Sequence, residues 1–149
     1  MNITMTQEEK KILFKELCTR LAYGVRVKVE CTTANGKKIE DEGVLNSIFI
    51  NEFGTIYVCV DEVEYELEDV KPYLRPLSSM TEDEKDKLLH EHIKDEQLYV
   101  DCIKNHPEMR GKIIPHFAAD WCDKKMFDFR GLIPKGIALS TDEFNPYND

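Results

Sequence analysis

The sequence predicts an α+β fold. Three observations carry the prediction. Apolar residues at helical spacing open the chain, the period changes to 2 at Val25 for about fifty residues, and helix-start signals return after residue 80.

The first helix is predicted over 6–22. The Thr6 hydroxyl can cap it, and Glu9 completes a capping box. Ile12, Leu13, Leu17, Cys18 and Leu21 then form one apolar stripe, flanked by Phe14, and Gly24 stops the helix. Val25, Val27, Val29 and Cys31 alternate with Arg26, Lys28 and Glu30, the pattern of a half-buried strand. Asn35-Gly36 signals a turn. A second strand is predicted from Lys38 to Ile50, bending near Gly43, and Asn51 to Gly54 reads as another turn. Ile56, Val58 and Val60 form a third strand, with Asp61-Glu62 as a tight turn after it. Val63, Tyr65 and Leu67 alternate with glutamates in a fourth. A short turn at Asp69-Val70 leads to a last strand, Tyr73 to Arg75, between Pro72 and Pro76.

Short strands this closely spaced need a second layer or closure to hide their edges. A small SH3-like β-barrel over 25–77 fits the length, and a bent antiparallel sheet covered by helices reads almost the same. A helical C-terminal region is predicted over 81–139. Thr81 and Glu84 make a second capping box, and Leu88, Leu89, His92 and Ile93 share a face. Residues 95–113 fit either helix or strand. Pro115 starts a further helix, with Phe117, Ala118 and Trp121 on one side. The polar residues 140–149 read as a loose tail. The whole, 149 residues, is predicted to be a single domain.

Composition narrows the partners. The net charge is −9, and the acid is shared between both halves of the chain. That excess argues against direct nucleic-acid binding and against docking on anionic lipid, both of which need Lys and Arg. No apolar run is long enough for a membrane span. The start, MNITMTQEEKK, lacks the apolar core of a signal peptide. Five cysteines without a CxxC fit free thiols in a reducing compartment, so a cytoplasmic protein is expected.

Two stretches, Lys71 to Glu84 (KPYLRPLSSMTEDE) and Asp120 to Leu139 (DWCDKKMFDFRGLIPKGIAL), with LCTRLAYGV from Leu17 to Val25, carry a resemblance. The chain resembles a family of small uncharacterised proteins common in gut Bacteroidetes genomes and their phages and prophages. The resemblance implies a bacterial or phage setting and no particular activity. Members often carry a His pair where this chain has Lys125-Met126, while Trp121, Phe127, Phe129, Arg130 and Gly131 are kept. An architectural role for the segment follows.

Candidate chemistry is sparse. His90 and His92 point roughly 200° apart on a helix, so they do not share a metal. Cys102 and His106 are placed to share one, but two ligands do not make a zinc site. No metal and no cofactor is expected. Cys122 lies beside Asp120 and Asp123, which disfavour its thiolate. GxSxG, GxxxxGK and GxGxxG are all missing. No catalytic residue is assigned on these grounds. A small hydrolase carried by Cys122 or His116 is the enzymatic alternative.

The FDFRGLI stretch admits two readings. It presents Arg130 beside Trp121, Phe127 and Phe129 as interface anchors, or its aromatics clamp the C-terminal segment onto the core, with Arg130 paired to Asp128 or Asp120. Tyr73 and Arg75 admit the same two. The last candidate is the run Asp61 to Asp69. If it is extended, Glu62, Glu64, Glu66 and Glu68 line one face roughly 6.6 Å apart. That is close to the roughly 7 Å between phosphates of an extended strand. The row then reads as a nucleic-acid mimic inhibiting a host enzyme, or as a charged outer face that keeps the edge soluble. The function expected is a non-enzymatic protein-binding or accessory module, with another protein as partner.

Overall fold

The computed structural model describes residues 5–87 and 119–147. Helix α1 spans Gln7–Arg20, and a 3₁₀ turn covers Leu21–Tyr23. Thr6 caps α1 as expected: its hydroxyl accepts from the Glu9 N–H at 3.1 Å, and the Glu9 carboxylate accepts from the Thr6 N–H at 3.0 Å. Gly24 closes the turn at a φ of 74°, a left-handed backbone that favours glycine.

Strand β1 is Arg26–Thr32, β2 is Lys38–Ile50, β3 is Ile56–Val60 and β4 is Val63–Glu66. A 3₁₀ turn at Leu67–Asp69 leads into β5, Val70–Leu74, and another covers Leu77–Ser79. Helix α2 covers Glu82–Lys87, α3 covers Ala119–Lys124, and β6 is Leu139–Ser140. The strands form one six-stranded sheet in the order β4-β3-β2-β1-β5-β6. All pairs are antiparallel except β5–β6, so the sheet is mixed.

The molecule is therefore α+β, but the barrel does not close. Among the described residues β4 and β6 are the two ends of an open sheet. Of the two architectures expected, the bent sheet is the nearer. Its bend lies in β2, whose first half pairs with β1 and whose second half pairs with β3. The register slips between Leu45 and Ser47, so Asn46 is a bulge residue, and the strand turns there.

The β3–β4 turn is docked into that bend. Gly43 is buried against it, and a Cβ there would collide with the Asp61 carboxylate. Asp61 Oδ1 accepts from the Val44 N–H at 3.2 Å, and Asn46 Oδ1 accepts from the Glu62 N–H at 2.8 Å. Asp61 and Glu62 both have positive φ, 48° and 71°, the sign pattern of the turn that matches strand twist.

The core joins α1, the sheet and the C-terminal segment. Leu13 and Leu17 meet Val25, Val27, Val29, Leu45, Val58, Val60, Leu67, Val70 and Leu74, with Met126, Leu132, Ile137 and Ala138 closing it. Burying each large aliphatic side chain contributes roughly 1.5–3 kcal/mol. The buried face of α1 differs from the stripe expected. It is Leu13, Glu16, Leu17 and Arg20, while Cys18 is exposed.

The C-terminal region also departs from expectation. Residues 125–138 are turns rather than helix. The supposed tail is docked: β6 pairs with β5, the Thr141 N–H donates to the Leu74 carbonyl, and Thr141 is buried. The Tyr147 hydroxyl accepts from the Arg26 N–H and donates to the Tyr73 carbonyl, each at 2.9 Å. Polar composition suggested freedom here, whereas a few long-range hydrogen bonds anchor the strand. The question posed by 95–113 lies outside the described residues, as do all four histidines and Cys102.

Candidate functional site

The FDFRGLI segment is pinned from both sides. Beyond the end of β5, the Arg75 N–H donates to the Met126 carbonyl at 2.7 Å, and the Asp128 N–H returns to the Arg75 carbonyl at 2.8 Å. Phe127 is fully buried, stacked on Trp121 with ring centres 5.8 Å apart, and the Arg75 guanidinium lies 4.1 Å over its ring. Phe129 is buried beneath the Arg130 guanidinium at 4.0 Å. Tyr73 is buried too, with Phe144 edge-on against it. Met126, next to the exposed Lys125, is a buried core residue with a φ of 64°. The geometry is that of a clamp on the core.

Arg130 does not pair with Asp128 or Asp120. Its guanidinium donates to Asp123 Oδ1 at 2.8 Å, to Asp123 Oδ2 at 3.2 Å and to Glu16 Oε1 at 3.0 Å. Asp128 instead holds its own turn, accepting from the Leu132 and Ile133 N–H groups at 2.8 Å each. Arg20 joins the cluster from α1. It pairs with Glu16, lies 3.3 Å from Asp123, and donates to the Phe127 carbonyl at 2.6 Å. Burial pulls the Arg20 guanidinium down to about 10, although Asp123 opposes the shift. Two cations and two carboxylates thus neutralise one another, three of them buried and Arg130 reaching the surface. Sequence reasoning missed this cluster. Its signal was present, because Glu16 and Arg20 fall on the helical face of Leu13 and Leu17.

Arg75 grips Glu84 with both nitrogens, at 2.7 and 2.8 Å. Burial pushes the Glu84 carboxyl up, but the hydrogen bonds from Arg75 and the Thr81 N–H outweigh it and hold the group at about 2. Cys122 is buried, and that burial pushes its thiol up to about 12, so it is a poor nucleophile at neutral pH. The four described cysteines are all free. Among the described residues no group of three or more His, Cys, Asp or Glu is arranged to hold a metal ion.

The acidic run is not one extended row. Glu62 sits in the tight turn, Glu64 and Glu66 lie in β4, and Glu68 lies in a 3₁₀ turn. All four are exposed. The hydrogen bond and charge of Glu68 push the Glu66 carboxyl up, with Asp69 adding to the shift and Lys10 opposing it.

Apart from Phe144 beside Tyr73, the apolar groups left in water lie elsewhere than the sequence suggested. Phe53 is 83% exposed and Ile50 57%, both at the β2–β3 hairpin, and Val63 on β4 is 50% exposed. Phe49 is also exposed and stacks on Tyr57, its register partner, with ring centres 5.5 Å apart. Apolar residues on both sides of a turn, SIFINEFGTI, were the available signal. A separate cleft of about 850 Å³ is lined by five lysines and five carboxylates, among them the pair Lys28–Glu30 at 2.9 Å. Its charges balance, so it selects no ligand by sign.

The comparisons add no relative to this picture: no protein-family model, curated protein or solved structure matches the chain. Among the described residues no helix is long and apolar enough to cross a membrane.

Proposed function

We propose that the chain is a non-enzymatic protein-binding module whose contact surface is the β2–β3 hairpin and the neighbouring edge strand β4. The observation that carries this reading is the exposure of Phe49, Ile50 and Phe53 at the β2–β3 hairpin, with Val63 exposed on the edge strand β4. A small domain does not leave an aromatic side chain in water at a hairpin tip for stability, and aromatics are the usual anchors of interfaces. The burial of Cys122 supports the same reading, because it removes a nucleophile from solvent. The order β4-β3-β2-β1-β5, with a long bent β2 and a 3₁₀ turn before β5, supports describing the fold as an opened SH3-like barrel. The motif resemblance supports a phage or mobile-element origin, with a host protein as partner.

The test is site-specific cross-linking in bacterial cells, with a benzophenone amino acid replacing Phe53 or, separately, Asp120. Asp120 is exposed beside the FDFRGLI segment. One dominant adduct is expected from position 53 and none from position 120. Equal yields from both positions, or none from either, would reject the hairpin as the contact surface. Should the partner prove to be a basic nucleic-acid enzyme whose capture vanishes on reversing Glu64 and Glu66 to Lys, the inhibitor reading takes over.

A further inference from the structure

Among the described residues strand β4 is one of the two ends of the sheet, and its chemistry specifies an occupant. Asp61-Glu62 is a two-residue turn, so Val60 and Val63 form the hydrogen-bonded pair that closes it. Antiparallel ladders alternate, so Val58 and Tyr65 bond next, while Glu64 and Glu66 are the non-bonded positions. The N–H and C=O groups of Glu64 and the C=O of Glu66 therefore point away from β3, and the Glu66 N–H on that side donates to the Asp69 carboxylate. Among the described residues no strand lies on that side.

The two faces of the edge differ. Val63 and Tyr65 share the face of Val60 and Val58, which is the core face. Val63 is half in water there, at the limit of the core. Glu64 and Glu66 point to the other face and are exposed. Residues 61–69 carry six carboxylates and no Lys or Arg. A second copy of this strand would bring glutamates opposite glutamates, which is unfavourable. An acidic segment is excluded by the same repulsion.

Resting on the protein-binding reading above, we infer that β4 accepts an extended basic segment of a partner protein by strand addition, with Lys or Arg alternating with small apolar residues. The alternation follows from the pleat. Basic side chains fall beside Glu64 and Glu66, and apolar ones extend the core past Val63 and Tyr65. The main-chain bonds give affinity, and the alternating side chains give selectivity.

The experiment uses the full chain, labelled with ¹⁵N, and a blocked nine-residue peptide alternating Lys and Val. At saturation the amide of Glu64 should exchange with solvent about tenfold more slowly, while those of Val63 and Tyr65, bonded to β3, and of Glu66, bonded to Asp69, change less. Binding should weaken by about tenfold or more as salt rises. Three further probes separate the terms: a Glu–Val peptide, the Lys–Val peptide N-methylated at alternate residues, and the variant Glu64→Gln/Glu66→Gln. All three should bind at least about tenfold more weakly, and the N-methylated peptide is decisive for strand addition. Unchanged exchange at Glu64, or equal binding of the N-methylated peptide, overturns the inference. Protection at β4 that rises with protein concentration and no peptide would also overturn it, in favour of a second copy. If strand addition fails while the cross-link at position 53 persists, only this inference falls. If both fail, the binding reading falls with it.

Discussion

Arg75 and Glu84 show how one pair of residues writes a pH dependence into the molecule. The folded Glu84 carboxyl sits at about 2, below the usual carboxylate range. Its contribution is therefore present above the unfolded value and is lost as pH falls from about 5 toward 2. Glu84→Gln is expected to cost about 1–2 kcal/mol at neutral pH, a figure reduced for partial exposure. Urea midpoints of the variant and the wild type should draw together below pH 5 and converge only at about pH 2 or lower. The pair was only half legible beforehand. The capping box at Thr81 and Glu84 could be read from spacing, but the partner that depresses Glu84 comes from across a turn. Arg130 teaches the same lesson. Its neighbours in sequence suggested Asp120 or Asp128, whereas the helical turn of α3 brings Asp123 and the packing of α1 brings Glu16.

At the level of elements, strands were easier to read than their ends. The 3.6-to-2 change of period placed β1 and all of β2, because half-buried strands alternate whatever they pair with, but the bend expected near Gly43 falls at the Asn46 bulge. β4 was read past its true end. Leu67 and Glu68 continue the alternation, yet the chain tightens into a 3₁₀ turn that buries Leu67. The turn before β4 offers a test. Glu62 holds a φ of 71°, where a side chain is strained and glycine is not. Its N–H bond to Asn46 needs no side chain of its own. Glu62→Gly should therefore raise stability by about 0.5–1 kcal/mol, net of the glycine's greater unfolded freedom, read as a higher thermal midpoint. A lower midpoint would show that Glu62 is held there by contacts worth more than the strain.

The whole molecule is fastened by charge as well as by apolar contact. Glu16, Arg20, Asp123 and Arg130 tie α1 to α3 and the segment after it. Removing one member strands the others below the surface. Asp123→Ala should cost about 3–5 kcal/mol, measured by chemical denaturation, whereas a compensated apolar replacement of the buried set would cost far less. Closure of the sheet was the feature least available from sequence. Strand number and spacing are the same for a barrel and an open sheet, and only long-range register distinguishes them. The docking of 139–147 was hidden for a related reason: backbone and hydroxyl hydrogen bonds hold it, and these leave no hydropathy pattern.

The Arg20–Phe127 bond has a consequence for how the protein is made. It spans 107 positions of sequence. During synthesis, at roughly 5–20 residues per second, α1 waits on the order of five to twenty seconds before its acceptor leaves the ribosome. Throughout that interval the Arg20 guanidinium cannot be buried as it is in the finished protein. Glu16 on the same helix meets the charge from the start, but the bond to the Phe127 carbonyl and the contact with Asp123 form only when that part of the chain is delivered. Helix α1 thus reaches its final packing only after residues more than a hundred positions away have joined it.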